Sequence, residues 1–366
     1  MEVVIVGGSL GGLLHAIVLR QLGHTVRVLE KSTPDLLQGQ TAGSRVGPEV
    51  QKVIHEYLKI DKPYTTTTNS VEIINVEGGS IESISTGNTT HFTTWSTLYN
   101  MLKSHFIDEE NPLATYETER RVSDVAYDGE KVAVTYSDTK TRVSKIIHAD
   151  LVIGADGDNS TIRKTVLPGI NPKDVSYATW RGAVPVTSVS AASRKALENQ
   201  VLVFRTEKGY TISGVYHVPS ESGSLKPEDC QFIWIWYENM AEDTDEYRDL
   251  FTGVSGISLV PEALSAPFSE LLAKTPDPLL SAVRERSSPR ADFHDGKLLL
   301  VGDAFALFRP HVGLSTNQAA MQALGLVEVF SGKCNLAEWE TKSLAYAEKT
   351  KTDSNAYGEY CFASKV

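Results

Sequence analysis

Three stretches of this chain place glycine directly after an apolar strand, two of them with an acid beside it and the first with its acid, Glu30, at the end of the next strand. Gly7-Gly8-Ser9-Leu10-Gly11-Gly12 follows Val3-Val4-Ile5-Val6, Gly154-Ala155-Asp156-Gly157 follows Leu151-Val152-Ile153, and Gly302-Asp303-Ala304 follows Leu298-Leu299-Leu300-Val301. Glycine there lets the backbone turn sharply and approach a phosphate, while a carboxylate beside it accepts hydrogen bonds from sugar hydroxyls. In this order, spread over about 300 residues, such elements suit one long dinucleotide, FAD.

The first stretch reads G-x-S-x-x-G. Ser9 stands where a second glycine is usual; it is small, and its hydroxyl can donate to phosphate. The helix expected after Leu10 offers its N-terminus to phosphate charge. Glu30, at the end of the next strand, is placed to accept ribose hydroxyls. An acid there favours an unphosphorylated ribose, as in FAD or NAD. Asp156 has a second reading, as the cap or brace of its own turn.

Other residues suggest proton handling and substrate contact. His311, between Pro310 and Gly313, would have an ordinary pKa near ~6.5, suited to accepting a proton from a phenol-like hydroxyl. Bracing the loop is its alternative. His217 closes an alternating strand and reads equally as a base or a structural hydrogen-bonder. Arg181 either steers an anionic substrate or pairs with a carboxylate. Trp234 and Trp236 read as sheet packing, with one ring lining a substrate cavity. They also resemble half of the W-x-W-x-I-P element of flavin halogenases, but Glu238-Asn239 stand where Ile-Pro belongs.

The elements that must position these residues follow from periodicity. A strand at 3–6, a helix from Leu10 to Leu22 ended by Gly23, and a strand at 25–29 form one strand–turn–helix–strand–acid unit. Helices are expected over Pro48–Leu58, Trp95–Phe106 and about Thr316–Phe330. Val122–Tyr127 and Lys131–Tyr136 alternate around Asp128-Gly129, a hairpin signal. From about 172 to 285 the pattern turns antiparallel, with strands at Gln200–Arg205, Tyr210–His217 and Gln231–Tyr237. Phe232, Trp234 and Trp236 share one face of the last strand and Ile233, Ile235 and Tyr237 the other.

With 366 residues the chain exceeds one ordinary core. A hydrophobic content of 41% and a charged content of 22% are globular values. The net charge of −11 argues against nucleic acid as a partner. Cys230, Cys334 and Cys361 are scattered and odd in number, which fits unpaired thiols rather than a disulfide framework or a metal site. No apolar run reaches the ~18 residues of a membrane span. A cytoplasmic protein with no signal peptide is expected. The alternative is peroxisomal, because Ser364-Lys365-Val366 is one residue from the S-K-L address.

Together the three motifs resemble the single-component FAD-dependent aromatic hydroxylases of the 4-hydroxybenzoate hydroxylase type, the group A flavoprotein monooxygenases. Their second motif, D-G-x-x-S-x-x-R, is matched by Asp156-Gly157-Asp158-Asn159-Ser160-Thr161-Ile162-Arg163, and their third by Gly302-Asp303-Ala304 with Pro310 and Gly313. A finer resemblance is to the 2,6-dihydroxypyridine 3-hydroxylase branch, at Gly7-Gly8-Ser9, Thr94-Trp95, Leu98-Tyr99, Trp180-Arg181-Gly182, Val218-Pro219, Trp234 to Tyr237 and Arg309-Pro310-His311. The arginine that many members carry near Trp95 is absent.

The resemblance implies an α/β fold: a Rossmann-like FAD-binding domain (1–70, 90–171 and 286–366) with an inserted β-rich substrate domain (71–89 and 172–285). Gly7, Ser9, Leu10, Gly12, Glu30 and Lys31 would hold the ADP half of FAD. Arg45, Trp95, Gly302 and Asp303 would complete the cofactor site. Gly313, Leu314 and Ser315 would present N–H groups to the flavin edge, and Asp156 and Arg163 would couple FAD binding to reduction. His311, Pro310 and His217 are the implied catalytic residues. No metal is implied. NADH or NADPH would visit as transient reductant, O2 would supply the oxygen, and a small hydroxylated aromatic or N-heteroaromatic molecule would be the substrate. A homodimer is compatible. Rival readings are the same fold on a larger secondary metabolite (epoxidation, ring expansion or oxidative decarboxylation), a flavin oxidase or dehydrogenase, a non-catalytic flavoprotein and a halogenase.

Overall fold

The computed structural model describes all residues except 39–41, 76–78, 108–111, 199, 206–210, 240–243, 246–265 and 363–366. Ser364-Lys365-Val366 and Tyr210 therefore lie outside the described residues.

A six-stranded sheet runs in the order Asp292–Phe293, Leu298–Leu300, Leu151–Gly154, Glu2–Val6, Thr25–Leu29, Ala114–Glu117. Its five longer strands are parallel and the first is antiparallel to its neighbour. Val3 to Val6 are all buried, as a strand covered on both faces must be. The helix Leu10–Gln21 crosses back over it and ends at Gly23, whose φ of +84° suits glycine. Strands carrying the three glycine–acid motifs are immediate neighbours here. Parallel strands bring their carboxyl ends to one edge, so motifs about 300 residues apart in sequence meet there.

A nine-stranded mixed sheet is the second unit. Its order is Ala306–Leu307, Leu279–Ser287, Lys173–Pro185, Gln231–Asn239, Thr211–Val218, Val201–Arg205, Thr66–Ile74, Ser80–Thr94, Gly43–Arg45. It reaches past the expected boundaries: Thr66–Ile74 and Ser80–Thr94 run across residues 70 and 89. Both edge strands come from segments assigned to the dinucleotide unit. Phe232, Trp234 and Trp236 pack on one face with Phe268, Leu271 and Leu272 of the helix Ala266–Lys274. Ile233, Ile235 and Tyr237 face the other way. Both tryptophans thus serve sheet packing, and the face opposite them is the one turned toward the third motif.

The expected hairpin lies in a three-stranded sheet of Arg120–Tyr127, Val132–Asp138 and Ser144–Ala149. Asp128 Oδ1 accepts from the N–H groups of Glu130 and Lys131, at 2.9 and 2.7 Å, around Gly129. Cys230 and Cys334 are free thiols. Among the described residues no acidic or His/Cys cluster could hold a metal, and no helix is long and apolar enough to cross a membrane.

Candidate active site

The first glycine turn leaves no room for side chains. A Cβ on Gly12 would overlap the carbonyl of Gly7, and one on Gly8 would overlap the Tyr116 hydroxyl. Gly7 holds φ at +102° against Ala155 of the second motif. Ser9 is the helix N-cap but makes no side-chain capping bond, so its hydroxyl is not committed to the helix. Glu30 is buried, with Oε2 accepting from Gly8 N–H at 2.7 Å and Oε1 from Ser32 N–H at 2.7 Å. Leu10 is buried beneath this turn and Lys31 is exposed beside it.

Tyr116 was not singled out by the sequence reading, yet its hydroxyl donates to Gly8 O at 2.8 Å and pairs with the Tyr99 hydroxyl at 3.0 Å. Burial and the Tyr99 hydrogen bond push its phenol far above the ordinary tyrosine value, keeping it a neutral donor. Trp95 stacks on Tyr99 with ring centroids 4.7 Å apart. Where many relatives of this type are expected to carry arginine, this chain therefore has an aromatic stack leading to the phosphate turn.

The second and third motifs are pinned together. Asp156 accepts from Thr161 N–H at 2.6 Å and Ile162 N–H at 3.2 Å and bonds the Ser160 hydroxyl, capping the helix Thr161–Val166. Burial raises its pKa against these bonds. Arg163 is fully buried and donates to Ala304 O at 3.1 Å and Asp158 O at 2.7 Å. Burial, then repulsion from Arg286, lowers its pKa to about 10. Arg286, missed in the sequence, pairs with Asp158 at 2.9 Å and donates to Asp303 O at 2.8 Å. Gln318 and Gln322 complete the clamp. Gln318 donates to the Gly302 and Ala306 carbonyls at 3.1 and 3.0 Å, and Gln322 accepts from Gly302 N–H at 2.8 Å. Two buried glutamines four residues apart on a largely apolar helix were a legible signal of this.

Inside this clamp Asp303 has Oδ1 sealed from solvent without a hydrogen-bond partner. Desolvation raises its pKa to about 6; Asp158 adds to the rise, while Ser315 and Arg286 oppose it. An orphaned carboxylate oxygen calls for a donor from outside the protein, such as a hydroxyl.

Past Asp303 the chain makes a 3-10 turn, Pro310–Val312, and enters the helix Ser315–Phe330 through Gly313, at φ +63°. Arg45 donates to Val312 O at 3.1 Å and packs on Gly313. Gly313 N–H bonds Pro310 O at 3.1 Å, closing the turn. The first intrahelical bond is Gln318 N–H to Leu314 O, which leaves the Ser315 N–H at the open, positive end of the helix.

His311 is not the ordinary imidazole the sequence suggests. Burial, and then Arg309, push its pKa down to about 3. Its Nε2 pairs with the Tyr177 hydroxyl at 2.6 Å, and its ring packs against Tyr237 and Tyr357. It joins the turn to the large sheet and to the C-terminal helix, Leu336–Phe362. Pro310 is exposed at the start of that turn. His217 lies elsewhere. It pairs in register with Phe232, rests on that ring at 5.7 Å, and so lies on the tryptophan face, away from the third motif.

A dinucleotide-binding sheet with three clustered glycine–acid turns, against which a large antiparallel-rich sheet is packed, defines a two-unit flavoprotein fold. The sequence signature of the FAD binding domain family matches residues 1–335. The chain is 30% identical to the 2,6-dihydroxypyridine 3-monooxygenase of Paenarthrobacter nicotinovorans, covering 96% of this chain and 90% of that protein. It is 25% identical to the 6-hydroxynicotinate 3-monooxygenase of Pseudomonas fluorescens, over 92% of this chain and 85% of the relative. The structure of 2,6-dihydroxypyridine-3-hydroxylase from Arthrobacter nicotinovorans superposes with a TM-score of 0.84 at 26% identity, covering 100% of this chain and 93% of that one. The chain belongs to the FAD binding domain family and is an FAD-dependent monooxygenase of the 4-hydroxybenzoate hydroxylase-like fold, acting on a small molecule with NADH or NADPH and O2.

The residues present fit FAD. The glycine turn excludes side chains where a pyrophosphate must approach, Asp303 Oδ1 lacks a donor, and a helix N-terminus lies open beside it.

Proposed function

We propose that this chain hydroxylates an electron-rich hydroxypyridine-like or phenolic ring. The observation that carries this reading is the 30% identity, over 96% of the chain, to a relative named for the 3-hydroxylation of a dihydroxypyridine. When bound, FAD supplies the passage of two electrons from nicotinamide to O2 and the activation of oxygen.

The protein's part is binding and exclusion. Gly7, Ser9, Leu10, Gly12, Glu30 and Lys31 hold the ADP half. Arg45, Asp303, Leu314 and Ser315 hold the flavin half, with the helix end favouring negative charge on the reduced ring. Arg163 and Arg286 act on the cofactor through the carbonyls of Ala304 and Asp303, and Asp156 by capping the helix that carries Arg163. Trp95 acts through Tyr99 and Tyr116. The inner face of the large sheet, carrying Tyr177 and Tyr237 against His311, walls off water from the ring. With its depressed pKa, His311 orients this wall rather than taking protons near neutrality.

In this reading residues 1–70, 90–171 and 286–366 form the cofactor unit and 71–89 with 172–285 the substrate unit. The protein works in the cytoplasm, in keeping with its acidic, span-free chain.

Anaerobic reduction of the bound flavin by NADH and NADPH, with and without hydroxypyridines and phenols, tests the proposal. One ring compound is expected to accelerate bleaching by at least about tenfold, with a ring-hydroxylated product after oxygen is admitted. Bleaching that no ring compound accelerates would remove this substrate class and leave a larger metabolite as the better reading.

A further inference from the structure

The inner face of the large sheet carries a cation that the described residues leave without a counter-charge. Arg181 lies in the strand Lys173–Pro185, directly across from Ile235. Alternation puts it on the face of Tyr177 and Tyr237, both of which touch His311 of the flavin-edge turn. Farther along the same face Tyr216 is buried, and its hydroxyl abuts Gly43 of the strand whose Arg45 holds Val312 O. Arg181 therefore sits on a wall fastened to the turn on both sides.

Other buried or half-buried arginines each meet an oxygen, Arg286 that of Asp158 at 2.9 Å, Arg309 that of Glu285 at 2.9 Å and Arg20 the Phe106 carbonyl at 2.9 Å, although the Nε atoms of Arg163 and Arg286 also lack an acceptor. Among the described residues, Arg181 meets neither a carboxylate nor a carbonyl. Its Nε is sealed from solvent and has no acceptor. A guanidinium offers a planar fork of donors and no acceptor. What completes it is a planar anionic oxygen group that accepts from its fork of donors.

We propose that Arg181 is a specificity-determining residue that binds an anionic oxygen on the aromatic substrate, either a ring carboxylate or a ring enolate. The inference rests on the hydroxylase reading above. It explains why, in a chain with a net charge of −11, Arg181 meets no carboxylate among the described residues.

The test uses the FAD-loaded enzyme and its Arg181→Gln and Arg181→Lys variants. Dissociation constants are read from the flavin absorbance change for benzoate, benzamide, 6-hydroxynicotinate, 2,6-dihydroxypyridine and 2-hydroxypyridine. Arg181→Gln is expected to weaken anionic ligands by roughly 10- to 100-fold, with Arg181→Lys recovering part of this. Benzamide binding, FAD content, melting temperature and ligand-free NAD(P)H oxidation should not move. Loss confined to benzoate and 6-hydroxynicotinate assigns the carboxylate; loss confined to 2,6-dihydroxypyridine assigns the enolate. Equal weakening of benzamide and benzoate, loss of FAD, unfolding of both variants, or no anion binding to the unmodified enzyme would overturn the proposal. Turnover of a hydroxypyridine with unchanged dissociation constants in Arg181→Gln defeats the Arg181 assignment alone. Arginine-dependent benzoate binding without any ring turnover keeps Arg181 and defeats the hydroxylase reading.

Discussion

Charged groups in the two units of this molecule are held in different ways. In the dinucleotide unit Glu30 rests on the amides of Gly8 and Ser32, and Asp156 on those of Thr161 and Ile162. These partners lie within a turn or one strand–helix–strand unit of the acid. In the large sheet Arg181 has no counter-charge among the described residues, and Tyr177 reaches 134 residues along the chain to His311 of the turn. The first unit carries its own hydrogen-bond partners and waits only for a cofactor that follows its backbone. The second presents side chains whose remaining partner must arrive with the substrate. Asp303 stands between the two cases, with its backbone clamped and one oxygen unsatisfied.

The contrast breaks most severely if the backbone cradle tolerates a side chain. Gly12→Val drives a branched Cβ into the Gly7 carbonyl. It should cost about 3 kcal/mol or more and abolish FAD retention. Thermal unfolding and flavin content after purification check both. A variant that kept its flavin would show that the turn is not the tight cradle described.

Asp303 sharpens the comparison through pH. Its folded pKa of about 6 lies above the ordinary aspartate value near ~3.9, so the folded FAD-free protein holds the proton more tightly than the unfolded chain. Stability should therefore decline as pH rises from about 4 to about 6 and level off above, by up to about 3 kcal/mol from this group. Asp303→Asn should flatten that segment and weaken FAD binding. Urea unfolding at pH 4.5 and 7.5 reads the first effect and flavin titration the second. A wild-type slope of the opposite sign would assign the carboxylate a satisfied environment.

The smallest effect is expected at His311. An imidazole held near pKa 3 is neutral throughout pH 5 to 8, so His311→Phe should leave the shape of the kcat pH profile unchanged in that range. The Tyr177 bond would be lost, and with it about 1 kcal/mol of stability. A profile that lost an inflection near neutrality would make His311 the base after all and join the two units chemically.

Legibility followed the same divide. Gly7, Gly12, Glu30, Asp156 and Asp303 were readable because a turn, a helix N-terminus or a clamped acid imposes fixed residue types at fixed spacing. Tyr116 and Arg286 were not. A tyrosine in one strand and an arginine in another carry no local mark of the carbonyl each will hold. His217 and His311 misled for the same reason. Their types suggested proton chemistry, but the register with Phe232 turns one away from the third motif, while burial against three tyrosines and the charge of Arg309 hold the other neutral.

Taken alone, the amino-acid order determined that this chain makes a dinucleotide cradle in three instalments with an inserted β-rich unit. Backbone turns and two- or 3.6-residue periodicities are local, and local constraints are written in consecutive residues. Only the tertiary structure decided which side chains share the inner face of the large sheet, which histidine is buried, and that Arg181 Nε finds no acceptor among the described residues. Those outcomes depend on strand register and on contacts across more than a hundred residues, where sheet packing rather than spacing sets each group's surroundings and charge.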